Sequence, residues 1–347
     1  MVNVSIKEVA RLAGVSIATV SRCINSPEKL TEKTRLKVQK AISKTGYAPN
    51  SLAQSFRRGR TNIIMVVLPS IGDPFFTRVM AGIHEAAKSG DYSVVIEETQ
   101  FNTLTADKIG SMLVSKQTDG IILLASLSPF GTDILSADRR RRLPIVIGCE
   151  SIAPELANFP SVHIDNVAAA REATDYLIAQ GHRRIGMIYG LKSSLLTRDR
   201  EIGFRAAMSA AGLAIDDGWI VEGQLTISGA RKATRRLIDH QRQPSAIFCA
   251  NDEMAIGCLH EIKASGLRVP QDISVMGFDD IRYAEVADPP LTTISQPAEE
   301  IGRRVVHRLL QEIEQREAVH ERQAIVAHQL IIRQSVAAPA TYRASFR

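Results

Sequence analysis

Aromatic residues are scarce in this chain, 5% with a single tryptophan, and so are cysteines, of which there are four. Cys23, Cys149, Cys249 and Cys258 show no CxxC spacing and three of them sit in strongly apolar segments. Buried free thiols are therefore expected, and disulfides are not. The eight histidines, His163 and His182 among them, show no metal-ligand spacing either. No apolar run approaches the roughly 20 residues that span a bilayer, and the first residues lack the apolar core of a signal peptide. A soluble, cytoplasmic protein with no membrane partner is the expectation. Also missing are a GxGxxG turn after a strand, a GxxxxGK[ST] loop and a GxSxG elbow, so no cofactor and no enzymatic role are expected.

Positive charge is concentrated at one end. Residues 1 to 60 hold 12 Lys or Arg against 3 Asp or Glu, a surplus of nine, whereas the other 287 residues carry a net −3. A basic head on a mildly acidic body fits a chain that grips phosphate through its head, with affinity that falls as salt rises. Lys33, Arg35, Lys37, Lys40 and Lys44 alternate with Leu36, Val38, Ala41 and Ile42 behind a capping Thr31, which makes this folded basic surface rather than a disordered tail.

Within the head, Ser5 to Asn25 reads SIKEVARLAGVSIATVSRCIN. Ser5 and Glu8 have the spacing of a capping box, Val9, Ala10, Leu12 and Ala13 give an apolar side, and Gly14 permits a turn. Ser16 caps a second helix with Val20, Cys23 and Ile24 inward and Ile17, Ala18, Ser21, Arg22 and Asn25 outward. An outward face of this kind suits a major groove. Arg22 can fork onto guanine O6 and N7, Ile17 and Ala18 can touch thymine methyls, and Ser16, Thr19 and Ser21 suit phosphates. The competing reading is an ordinary helical hairpin with a solvated polar face. Next comes APNSLAQSFRRGRT, 48 to 61, either a short helix started by Pro49 and Asn50 or a plain basic linker. As a helix it is too short to persist alone. Leu52, Ala53 and Phe56 would share a side, Phe56 would be a minor-groove wedge, and Arg57, Arg58 and Arg60 would contact phosphate.

At 347 residues, 45% hydrophobic, the chain has material for two or three domains. Beyond residue 61 apolar runs at 63 to 70, 92 to 99, 120 to 126, 144 to 150, 161 to 166, 184 to 190, 246 to 251 and 274 to 280 alternate with amphipathic stretches at 75 to 89, 167 to 181, 199 to 211, 228 to 240 and 252 to 265. Near-continuous Val, Ile and Leu between helices imply parallel strands covered on both faces, here as two doubly wound sheets. Ligands of such sheets bind beyond the strands' carboxyl ends. There the sequence places Asp73 with Phe75 and Phe76, Asp165 with Asn166, Asn251 with Asp252, and Asp279 with Asp280, while Arg200 opens a helix after the sixth strand. Singly, such Asp and Asn residues are helix caps. Together with aromatic faces they suit a neutral polyhydroxylated ligand.

These motifs, in order VARLAGVSIATVSRCIN, TRLKVQKAISKTGYAPNSLA, DPFF, VHIDN, GHRRIG, RxxGF from Arg200 to Phe204, ANDEMAIG, VPQDISVMGFDD, DPPLTTISQP and LIIRQS, run nearly the whole length, and the chain resembles the LacI/GalR family of bacterial transcription regulators, most of all a nucleoside-responsive member. The resemblance implies an all-α helix-turn-helix head (1 to 47), a hinge helix or linker (48 to 60) and an α/β body of the periplasmic-binding-protein type I fold (61 to 347). Its first subdomain would take 61 to 160 and 292 to 324, its second 161 to 291 and 325 to 340. By the same resemblance Ile17, Ala18 and Arg22 read bases, Ser5, Ser16, Thr19, Ser21, Asn25, Thr31, Asn50, Ala53 and Arg57 support DNA contact, and Phe56 is the wedge, where leucine is usual. Asp73, Phe75, Phe76, Asp165, Arg200, Asn251, Asp279 and Gln296 match effector-contacting positions. QLTISG, 224 to 229, departs from the family in length and in Leu225, where an aromatic commonly stacks, so a nucleoside, a pentose or a hexose all remain open as effector. A homodimer on a pseudo-palindromic operator is implied, since the stretch after Ser335 is too short for a leucine-heptad tail. The rival reading, a periplasmic sugar-binding or nucleoside-binding protein, shares the body but has no use for the basic head.

Overall fold

The computed structural model describes residues 4–47, 60–99, 111–113, 115–124, 143–150, 158–314 and 322–339. Asn50, Ala53, Phe56 and Arg57 of the expected hinge lie outside the described residues. The chain divides into two compact units, Met1–Thr61 and Asn62–Arg347.

The first unit is a three-helix core. Helices α1 (Ile6–Ala13), α2 (Ile17–Asn25) and α3 (Glu32–Thr45) bury Val9, Ala10, Val20, Cys23, Val38 and Ala41 against one another. Gly14 ends α1 with φ 63°, a left-handed conformation that glycine adopts without a Cβ clash, and so lets α2 leave at an angle. The Ser16 hydroxyl accepts from the Thr19 amide at 3.1 Å and Thr31 does the same for Thr34 at 3.4 Å. Ser5 departs from the expected capping box. It occupies the N-cap position, but its side chain makes no cap bond, and the Glu8 amide bonds the Ser5 carbonyl at 3.0 Å. Leu12 and Leu36, placed by periodicity among the apolar positions, are 41% and 49% exposed.

The second unit carries two parallel sheets. Strands β1 (Ile63–Leu68), β2 (Ser93–Glu98), β3 (Gly120–Leu123), β4 (Ile145–Gly148), β5 (Ser161–His163) and β11 (Gln323–Ile325) form the larger, in the order β11-β5-β4-β3-β1-β2. Strands β6 (Ile185–Tyr189), β7 (Ile220–Glu222), β8 (Ala246–Cys249) and β9 (Ser274–Met276) form the smaller, in the order β7-β6-β8-β9. In β1 every residue from Ile64 to Leu68 is buried, as a strand with helices on both faces requires. Helices α4 (Pro74–Ser89) and α9 (Ala298–Ile313) pack together on the larger sheet. Around the smaller one, α5 (Asn166–Ala179) pairs with α6 (Leu195–Ala210) and α7 (Ile227–Ile238) with α8 (Asp252–Ala264). All four cysteines are buried free thiols.

The chain passes between lobes three times. The first passage falls a few residues beyond the expected 160, because Ser161 and Val162 still pair with β4. The second runs through β10 (Thr293–Ser295), which pairs antiparallel with β12 (Gln329–Ile331) and also bridges Met276 to Thr292 and Asp279 to Ser295. The third follows β11 and ends where the Val275 amide bonds the Ser335 carbonyl at 2.8 Å. No helix among the described residues is long and apolar enough to cross a membrane.

Candidate functional site: the helix-turn-helix face and the interlobe cleft

On the head, burial of Val20 and Cys23 against α1 and α3 fixes which side of α2 faces water. Ile17, Ala18, Arg22 and Asn25 are exposed, Thr19 and Ser21 partly so. Ile17, a large apolar residue, is 44% exposed and so leaves apolar surface free on this face. Asn25 donates from Nδ2 to the Ser21 carbonyl at 2.8 Å, holding the far end of that face. Thr31 and Ser16, both exposed, sit at the first turns of their helices, where free amides and the helix dipole favour phosphate.

In the body, loops from the carboxyl ends of both sheets meet around a cavity of about 40 Å³, space for a few water molecules. From the larger lobe come Pro69, Asp73, Phe75 and Phe76 after β1, and Cys149 and Glu150 after β4. The smaller lobe gives Ser194, Leu196 and Arg200 at the start of α6, Leu225 after β7, Asn251 after β8 and Asp279 after β9, and Gln296 follows β10. Phe75 and Phe76 meet edge to face with centroids 5.4 Å apart, presenting an apolar wall.

Arg200 organises the floor. Its Nε donates to Asn166 Oδ1 at 3.0 Å, Nη1 to the Ala250 carbonyl and Nη2 to Asp279 Oδ1 at 3.2 Å, while the guanidinium lies 3.6 Å from the centre of the Phe278 ring. Gln296 Nε2 donates to the same Asp279 oxygen at 2.6 Å. Burial pushes the Asp279 carboxyl up to about 7 despite the pull of Arg200, and burial raises Asp73 above the usual carboxylate range. Next to them Asp252, fully buried, accepts from the Ile281 amide at 2.9 Å and from Thr293 Oγ1 at 2.6 Å, tying β8, β9 and β10 together below the cavity. Three lining residues, Cys149 (φ 69°), Leu225 (φ 57°) and Asp279 (φ 104°), hold left-handed backbone without being glycine. Such strain clusters where a site over-determines the chain.

The structure thus brings seven of the eight sequence-placed cleft residues to one cavity and leaves Asp165 apart. Asp165 is exposed and spends Oδ1 on the Ala168 amide at 2.9 Å as the cap of α5. Its neighbour Asn166 reaches the site instead, through Arg200. Sequence reasoning passed over Glu150, Cys149, Ser194 and Leu196 as site residues. Glu150 closes an apolar strand, and the strand-end rule that found Asp73 and Asn251 would have found it.

Mutually packed helices with an outward polar face, and a two-lobed body whose strand ends converge on a cleft, define an effector-binding, DNA-binding regulator. The chain belongs to the lacI family of bacterial regulatory proteins, whose model matches residues 5–50, and a periplasmic binding protein-like domain matches residues 174–336. It is 38% identical over 334 residues to the HTH-type transcriptional repressor CytR of Escherichia coli K12, covering 96% of each chain. It is 34% identical over 309 residues to the ribose operon repressor of Haemophilus influenzae, covering 89% of this chain and 92% of that one. Among solved structures it is similar to the lac repressor dimer bound to operator and the anti-inducer ONPF, with a TM-score of 0.83, 27% identity and 96% and 99% coverage. A complex of the transcriptional regulator CelR with cellobiose matches at a TM-score of 0.70 and 30% identity, again over 96% and 99%. The chain is a transcriptional regulator of the repressor type.

Proposed function

We propose that this regulator reads a pseudo-palindromic operator as a homodimer in the cytoplasm, and that a small uncharged ligand in the cleft, a nucleoside, a pentose or a hexose, controls its grip. Arg22, Ile17 and Ala18 read bases; Ser5, Ser16, Thr19, Ser21, Asn25 and Thr31 position the head on phosphates; Asn50, Ala53 and Arg57 flank Phe56, the minor-groove wedge. Head (1 to 47), hinge (48 to 60) and body (61 to 347) are the working parts, and lobe closure on ligand undoes the hinge.

The observation that carries the ligand reading is the convergence of Asp73, Arg200, Asn251, Asp279 and Gln296 with Phe75 and Phe76 on one cavity. Hydroxyls of a polyol suit the polar groups and its apolar ring face suits the aromatic wall. Support for a dimer on DNA comes from the similar lac repressor dimer, bound to its operator, and support for sugar-like ligands from the cellobiose complex and the ribose operon repressor. Leu225 lines the cavity with an aliphatic side chain, so ring stacking falls to Phe75 and Phe76.

The test is operator binding at fixed salt with and without nucleosides, pentoses and hexoses. Arg22→Ala is expected to weaken specific binding by at least roughly thirtyfold and to relax preference at one base pair per half-site, as loss of two bidentate contacts per dimer, each worth about 1–3 kcal/mol, requires. Unchanged affinity and preference in that variant would refute the assignment of the face.

A further inference from the structure

We propose that Glu150 is a specificity-determining residue of the cleft: its carboxyl and the Gln296 side-chain oxygen receive hydrogen-bond donors from an uncharged effector, and with Asp73 and Asp279 they turn away ligands that carry phosphate. This rests on the reading of the cleft as the effector site.

Glu150 is 6% exposed and lines the cavity just after the left-handed turn at Cys149. Its Oε2 is buried and has no hydrogen-bond partner among the described residues, and the same holds for Gln296 Oε1. Asp73, Asn251 and Asp279 each have one oxygen already engaged. Asp73 Oδ1 accepts from the Phe75 amide, Asn251 Oδ1 from the Met254 amide, and Asp279 Oδ1 from both Arg200 and Gln296. Both vacant acceptors belong to side chains that line the cavity, and buried polar groups persist where something satisfies them. What they ask of a ligand is N–H or O–H donors.

The charge balance has the same sense. Three carboxyl groups, Asp73, Glu150 and Asp279, line the cavity against one guanidinium, and Arg200 already serves Asn166, Ala250 and Asp279. The titratable groups around Glu150 are Arg200 and Asp199 on α6, its neighbour Cys149, Asp73 at the start of α4 and Asp279 after β9. Burial pushes the Glu150 carboxyl up to about 8, with Arg200 pulling down and Asp199 pushing up. A phosphate would enter a site with no cation to spare. A neutral donor bonded to Oε2 instead favours the carboxylate, lowers its pKa and releases a proton near neutral pH. Affinity for such a ligand therefore rises with pH and levels off above about 8.

Calorimetric titration of the full chain with cytidine, adenosine, ribose and galactose, each beside its phosphate ester, tests this in two buffers of different ionisation heat between pH 6 and 8.5. A neutral probe that binds is expected to release up to one proton, to gain roughly threefold to tenfold in affinity across that range, and to bind at least about tenfold better than its phosphate ester. Glu150→Gln keeps the shape and is expected to remove the part of the pH dependence centred near 8, leaving only what Asp279 contributes near 7, and to narrow the preference over the ester. Binding that ignores pH, or an ester as tight as its parent, overturns the proposal while leaving the cleft as effector site. If no probe binds, the effector reading fails for these ligands, and carboxyl carbon NMR of the wild type against Glu150→Gln still decides Glu150. A midpoint near 8 supports the unsatisfied acid, and a midpoint near the ordinary 4.5 removes it.

Discussion

Arg200 and Asp279 face each other almost without water, 2% and 8% exposed in their side chains. A buried ion pair of this kind is weak grounds for stability, because desolvation offsets most of the Coulomb gain, but removing one partner strands the other. Asp279 has a folded pKa near 7, well above its ordinary 3.8. Its contribution to stability is therefore whole below about 4 and is lost as pH climbs to 7. Arg200 is what keeps that pKa from rising further, so Arg200→Met is expected to push it higher. Glu150, which Arg200 also pulls down, shifts the same way, so the variant should lose stability with pH beyond the point where the wild type levels off, by up to about 1.4 kcal/mol per unit for each of the two carboxyls. Urea melts at pH 6, 7.5 and 8.5 read the slope. A cost of Arg200→Met that stays constant across this range would show that Asp279 does not depend on Arg200.

Helix pairs in both lobes approach so closely that glycine is obligatory at the crossing. A Cβ on Gly302 of α9 would lie 2.2 Å from the Val79 carbonyl of α4, and one on Gly203 of α6 would lie 2.2 Å from the Val167 carbonyl of α5. Backbone cannot yield as a side-chain tip can, so either helix must shift. Gly302→Ala and Gly203→Ala are each expected to cost about 1–3 kcal/mol, the usual penalty of overpacking, and to lower Tm by several degrees. A thermal melt within a degree of wild type would mean that the helices slide freely. At this scale the sequence is legible where an apolar or amphipathic run is long. The eight apolar runs and five helical stretches correspond to β1 to β6, β8 and β9 and to α4 to α8, with ends displaced by up to three residues, or by four at the start of α6 and the end of β9. Strands β7, β10, β11 and β12 have three residues each, as do β5 and β9, but unlike those two they sit in no longer apolar run that marks them, and they exist because neighbours already in place offer edge hydrogen bonds. Burial of Asp252 shows the same limit for single residues. Strand-end position marked it beside Asn251, yet only the fold shows Asn251 facing the cleft and Asp252 bracing Thr293 and Ile281 below it.

Over the whole molecule, the two activities sit on surfaces of opposite electrostatic character. The first 60 residues carry nine surplus positive charges, and the cleft has more carboxyls than cations. Operator affinity should then fall steeply with salt, with a slope of about 0.9 per phosphate contacted, whereas affinity for an uncharged effector should hardly respond. The proposed coupling between them is a free energy, and it works equally in both directions. If saturating effector weakens operator binding by some factor, within the roughly 5- to 150-fold range typical of such coupling, saturating operator must weaken effector binding by the same factor. Two titrations at one salt concentration measure both. Raising salt should weaken both operator curves in parallel and leave the ratio between them in place, because the ions act on the head while the ratio is set in the body. A ratio that collapses with salt would place the effector's action in direct competition for the basic head, and the cleft would lose its role as the controlling site.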